Sequence, residues 1–110
     1  MDFRLIKIST TVPHKNADAI REVLGKAGAG SLGNYSYCSF SLTGKGRFRP
    51  NVQANPHIGA ANTFEMVDEE QIEVVCQRTS AKQVIAALRK AHPYEEPIID
   101  IIPLIDEDDL

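Results

Sequence analysis

Apolar residues recur along this chain with two different periods, and their order predicts the fold. From Phe3 to Val12, Ile6, Ile8 and Val12 fall on one side and Phe3 and Leu5 on the other, with β-branched residues throughout. That pattern predicts a buried first strand, which Pro13 ends. From about Asn16 the spacing becomes helical, with Ala17, Ile20, Leu24 and Ala27 on one stripe beside Val23, until Gly28 and Gly30 stop it. Gly25 sits inside this helix at a cost of roughly 1 kcal/mol relative to alanine. After Gly33 alternation returns: Cys38, Phe40 and Leu42 take one face and Tyr37, Ser39 and Ser41 the other, predicting a half-buried second strand.

Residues 44–61 hold Gly44, Gly46, Pro50, Pro56 and Gly59 and read as a long connection, of the kind that is usually functional or mobile. A third strand is predicted over Phe64 to Val67 and Gln71 to Gln77, with Asp68, Glu69 and Glu70 between them as a bulge or turn. Thr79 or Ser80 offers a cap to a second helix, whose stripe is Ala81, Val84, Ile85, Leu88 and Ala91, with Arg89 and Lys90 at its negative end. Ile98 to Ile105, apolar on both faces apart from Asp100, predicts a last strand buried on both sides.

The order strand, helix, strand, strand, helix, strand, with right-handed crossovers, predicts an α/β (α+β) ferredoxin-like sandwich: two helices on one face of a four-stranded antiparallel sheet. Residues 1–105 form this single domain and 106–110 an acidic tail. Two helices cover only one face, while the first and last strands are apolar on both. The open face is therefore expected to be buried in a homo-oligomer.

Composition narrows the function. A chain of 110 residues, 43% hydrophobic and 25% charged, fits one soluble globular domain, and no apolar run is long enough to span a membrane. The start shows no secretory pattern, so a cytoplasmic location is expected. Of the net charge of −3, the tail Asp106, Glu107, Asp108 and Asp109 supplies −4 and the rest +1, which argues against a basic nucleic-acid footprint. Cys38 and Cys76 are far apart without a nearby partner and lie in apolar sets, so both read as small buried hydrophobes.

The chemistry concentrates in Ala91-His-Pro-Tyr-Glu-Glu-Pro97, where an imidazole, a phenol and two carboxylates stand between two prolines at the end of the second helix. The prolines stiffen this corner. His92, Tyr94, Glu95 and Glu96 are the candidate ligand-binding residues, with Glu65 and His57 as outlying candidates; His92 with Glu95 suits a divalent transition metal. The structural alternative has His92 capping the helix, Tyr94 packing and one glutamate pairing with a cation. The Gly44 to Phe48 stretch, with Lys45, Arg47 and Arg49, could cradle an anion but lacks the spacing of a phosphate loop, and a solvated hairpin is preferred.

Four motifs in order resemble a known family: Gly33-x-Tyr35-x-x-Cys38-Ser39-Phe40, Gly44-x-Gly46-x-Phe48-x-Pro50, Pro56-x-Ile58-Gly59 and His92-Pro93-Tyr94-Glu95-Glu96-Pro97. Together they are similar to the YqfO-type insertion domain of Nif-three-like proteins, here standing alone, and the last also resembles the matching corner of CutA divalent-ion-tolerance proteins. The resemblance implies a PII/CutA-like ferredoxin fold and a trimer. The larger family's dimetal core has no counterpart in these residues, so its chemistry does not carry over. Near residues 53–57 and before Glu65, where Ala60-Ala61-Asn62 stands, this chain departs from the family's glycine-rich pattern. Three functions follow: a non-catalytic binding module with a metal or small ligand in inter-subunit clefts, a regulatory protein binding a partner through residues 44–61, and, less favoured, a hydrolase using His92. No nucleophile elbow or phosphate loop supports the last.

Overall fold

The computed structural model describes residues 2–110. Its six main elements are β1 (Leu5–Pro13), α1 (Ala17–Lys26), β2 (Phe40–Phe48), β3 (Glu65–Gln77), α2 (Ala81–Ala91) and β4 (Ile99–Leu104). The strands form one sheet in the order β2-β3-β1-β4, and every neighbouring pair is antiparallel. This is the expected ferredoxin-like arrangement.

Period-two alternation splits β1 and β3 cleanly. Ile6, Ile8 and Val12 of β1, with Ile72, Val74 and Cys76 of β3, point to the helices and are buried. Ile20 and Leu24 of α1 and Val84 and Leu88 of α2 close the core from above, each nearly inaccessible. Burial of these side chains out of water is the main force holding helices to sheet. Burial also raises the Cys76 thiol above its ordinary pKa, keeping it protonated and inert. Neither helix start is closed by its cap side chain; each instead follows a single 3₁₀ turn, His14–Asn16 or Arg78–Ser80.

A charged cluster bridges α1 to the sheet. Glu70, buried on the helix side of β3, accepts from Arg21 Nη1 at 2.8 Å and lies 2.6 Å from His14 Nδ1. The Arg21 guanidinium, first of all, holds the Glu70 carboxyl below its usual range, against the opposing effect of burial. Arg21 also reaches Asp18 and the Ser41 hydroxyl.

Several expectations change. The second strand starts at Phe40 and runs to Phe48, so the stretch read as the start of a loop is strand, paired from Phe40 opposite Glu73 to Phe48 opposite Glu65. Asp68-Glu69-Glu70 is no bulge: β3 is continuous for 13 residues because each acid has its own partner on a different element. Cys38 lies before the strand and is only half-buried. The glycine inside α1 also gains a reason, since the Tyr37 ring lies over Gly25 where a Cβ would overlap it.

The face away from the helices is open. It carries Phe40 and Leu42, 60% and 53% exposed, and Ile102, 44% exposed, around a polar centre in which Gln71 bonds Ser9 and Lys7 pairs with Glu73 at 3.4 Å. Within the single chain, then, β4 is not buried on both sides: Ile99 packs on the core, but Ile101 and Ile102 remain exposed on this edge strand. Pro103 is tolerated because an edge strand needs only one row of bonds. Among the described residues no helix is long and apolar enough to cross a membrane.

Candidate functional site

The corner after α2 is fixed from three sides. His92 ends the helix in extended conformation, its backbone N–H donating to the Leu88 carbonyl at 2.8 Å. The side chain is buried, with 6% exposure. Nδ1 lies 3.1 Å from the Tyr94 backbone N–H and must accept from it, so the neutral ring carries its proton on Nε2 and donates it to the Thr11 carbonyl at 2.8 Å. Burial holds this imidazole below its ordinary pKa, against the opposing effect of the Thr11 bond. A further tie is made where the Thr10 hydroxyl donates to the Ile98 carbonyl at 2.8 Å.

Tyr94 is the hub of an aromatic cluster. Its ring centroid lies 5.1 Å from that of His92, 6.0 Å from Phe48 and 6.4 Å from His57, all tilted. Its hydroxyl donates to Glu69 Oε2 at 2.6 Å. Burial, reinforced by that carboxylate, pushes the phenol well above its ordinary pKa, so Tyr94 is a donor at any ordinary pH.

Beside this cluster runs a groove of about 380 Å³. Thr11, Gly46, Phe48 and Glu69 form its floor, all on the open face of the sheet by register. Tyr94, Glu95 and Glu96 form one wall, and the 49–64 loop overhangs it with Pro50, Pro56 and His57. That loop is ordered by its own bonds: Asn62 N–H to the Pro50 carbonyl at 2.7 Å closes its neck, and the Asn51 side chain accepts from Gln53 and Ala54. Its tie to the corner is the Asn55 N–H, which donates to the Glu95 carboxylate at 3.1 and 3.2 Å.

Of the six residues singled out in the sequence, the fold gathers His57, Tyr94, Glu95 and Glu96 on one groove. His92 stands behind the wall as its support. Glu65 lies apart from the lining, half-buried against the loop at Gly59. Phe48, Glu69 and the Thr11 strand were missed as site residues. Phe48 was visible only inside a motif, and Glu69 was hidden in an acidic run.

The expected His92 and Glu95 metal pair does not form within the chain. Both ring nitrogens are spent on backbone groups, and the Glu95 oxygens accept from Asn55. Among the described residues no three His, Cys, Asp or Glu side chains converge as a metal-binding set. What the arrangement offers is an aromatic surface edged with hydrogen-bond acceptors, a setting suited to holding a small molecule.

Comparison with known proteins places these features. No family model matches the chain. It is 47% identical over 103 residues to a Halalkalibacterium halodurans protein named GTP cyclohydrolase 1 type 2 homolog, covering 94% of this chain and 28% of that one. A solved Bacillus cereus protein related to NIF3 superposes with a TM-score of 0.79 at 38% identity, over 94% of this chain and 26% of that one. The periplasmic divalent cation tolerance protein CutA of Archaeoglobus fulgidus superposes with a TM-score of 0.67 at 19% identity, over 93% and 85% of the two chains, a likeness of fold. The chain thus spans about a quarter of the length of the curated relatives it matches.

Proposed function

We propose, on the premise that this chain belongs to the YqfO/NIF3 family through a segment about a quarter of its relatives' length, that it is a non-catalytic, oligomeric binding module. It takes a small ligand in the groove between the 49–64 loop and the Tyr94 to Glu96 wall. The observation that carries this is the composition of the groove floor. Thr11, Gly46, Phe48 and Glu69 belong to the same open sheet face as the exposed Phe40, Leu42 and Ile102, so copies that cover this face turn the groove into an inter-subunit cleft. A non-catalytic role fits His92, whose ring has no free nitrogen to move a proton to or from a substrate.

Sedimentation of the wild-type chain is expected to give a multiple of its mass, with three copies favoured. Phe40→Glu together with Leu42→Glu should give a monomer of unchanged helical circular dichroism, because charges on that face lose their water on assembly. A wild-type monomer at high concentration would overturn the assembly. Zinc or copper titrated calorimetrically should give equal heat with wild type and His92→Ala; a heat lost with His92 would restore the metal reading.

A further inference from the structure

Four acidic side chains lie between Asp68 and Glu73 on β3, and three of them have a cation. Asp68 is paired with Lys45, Glu70 with Arg21 and His14, and Glu73 with Lys7. Glu69, half-buried on the groove floor, has only the Tyr94 hydroxyl on Oε2, and no cation within salt-bridge distance among the described residues. Its carboxylate lies flat against Gly46, where any Cβ would overlap Oε1, so the backbone has been cleared to seat it. Arg47 and Arg49 also line the groove, but neither comes within salt-bridge distance of Glu69 among the described residues. Arg49 holds its guanidinium 5.3 Å above the Phe64 ring, and Arg47, opposite Met66, alternates to the face away from Phe48 and Glu69. On the wall, Glu95 and Glu96 add two further acids.

We infer that the groove is polarised for a cation-headed ligand: an ammonium, guanidinium or amidinium group donating to Glu69, carried on an apolar or aromatic body that lies against Phe48 and Tyr94. This rests on the groove being the binding site. A carboxylate in a partly desolvated groove gains most from a charge-assisted donor, and a planar amidinium can give two parallel bonds while the body covers aromatic surface. Glu69 is then the residue that sets charge preference, with Tyr94 holding its orientation.

Three probes of one shape and different charge test this: benzamidine, benzamide and benzoate, each titrated into the assembled wild-type protein and Glu69→Gln, followed by amide and aromatic NMR shifts. Glutamine keeps an oxygen for the Tyr94 hydroxyl, so the fold should hold. Benzamidine is expected to shift the Phe48, Glu69 and Tyr94 signals and to bind about tenfold tighter than benzoate, a preference lost in Glu69→Gln. Benzoate binding as well as benzamidine, or a preference surviving in Glu69→Gln, would overturn the polarity while leaving the groove as the site. Failure of all three probes to shift groove residues would overturn both.

Discussion

His92→Ala is expected to destabilise the fold by about 2–4 kcal/mol, the range for removing a buried side chain together with the donor of a buried carbonyl. The ring is nearly inaccessible and satisfies two backbone groups, the Thr11 carbonyl and the Tyr94 N–H, while packing 5.1 Å from the Tyr94 ring. Its loss therefore leaves a void, an orphaned acceptor on β1 and an orphaned donor on the corner. The same residue predicts a pH dependence. Burial depresses the folded imidazole pKa below its unfolded value, with nearby Glu69 acting to raise it and His57 to lower it. The unfolded state therefore binds the proton more readily once pH drops below about 6.5, so the His92 contribution is complete above that value and is lost as pH falls toward 5. Urea unfolding at pH 8 and pH 5 should show a larger acid loss for wild type than for His92→Ala. Parallel losses would show that His92 does not carry the effect.

Arg21→Met should cost about 1.5–3 kcal/mol, the worth of a hydrogen bond to a charged group, with the lower end expected because the arginine itself is partly solvated. It leaves Glu70, whose side chain is 9% exposed, with His14 as its remaining partner. Because Arg21 holds the Glu70 carboxyl below its usual range, the pair's stabilisation is present above the unfolded carboxylate pKa and is lost as pH falls through and below about 4. The double change Arg21→Met, Glu70→Met should recover most of the loss, since it removes the buried charge along with its partner and leaves His14 in solvent. A double variant as unstable as the single would mean that Arg21 acts through packing or through its bonds to Asp18 and Ser41.

The helices, the core strands and their order were legible because Ile20, Leu24, Val84 and Leu88, and Ile6, Ile8, Ile72 and Val74, obey simple periods that burial enforces. The corner was legible too, since its prolines and titratable groups stand together in the chain. What could not be read were contacts between residues far apart in sequence. Gly44 and Gly46 signalled a loop, yet both lie in β2, and Gly46 is glycine because the Glu69 carboxylate crosses it. Asp68, Glu69 and Glu70 looked like a turn because three adjacent acids repel one another. Their partners Lys45, Tyr94 and Arg21 come from three other segments and remove the conflict. Thr11 contributes a carbonyl, which no side-chain pattern reveals. The unpartnered apolar face was anticipated from the mismatch between two helices and four strands, and Phe40 and Leu42 lie on it.

The register of β1 against β4 has a mechanical side. Leu5 pairs with Leu104, and Arg4 reaches Asp106 at 3.1 Å, so the start of central strand β1 and the end of edge strand β4 leave side by side, one strand spacing apart. A tether drawn through those ends would load the β1 and β4 ladder one hydrogen bond at a time, as a zipper is opened, instead of shearing all its bonds at once. The span between the start of β1 and the end of β4 is then no more than one strand spacing.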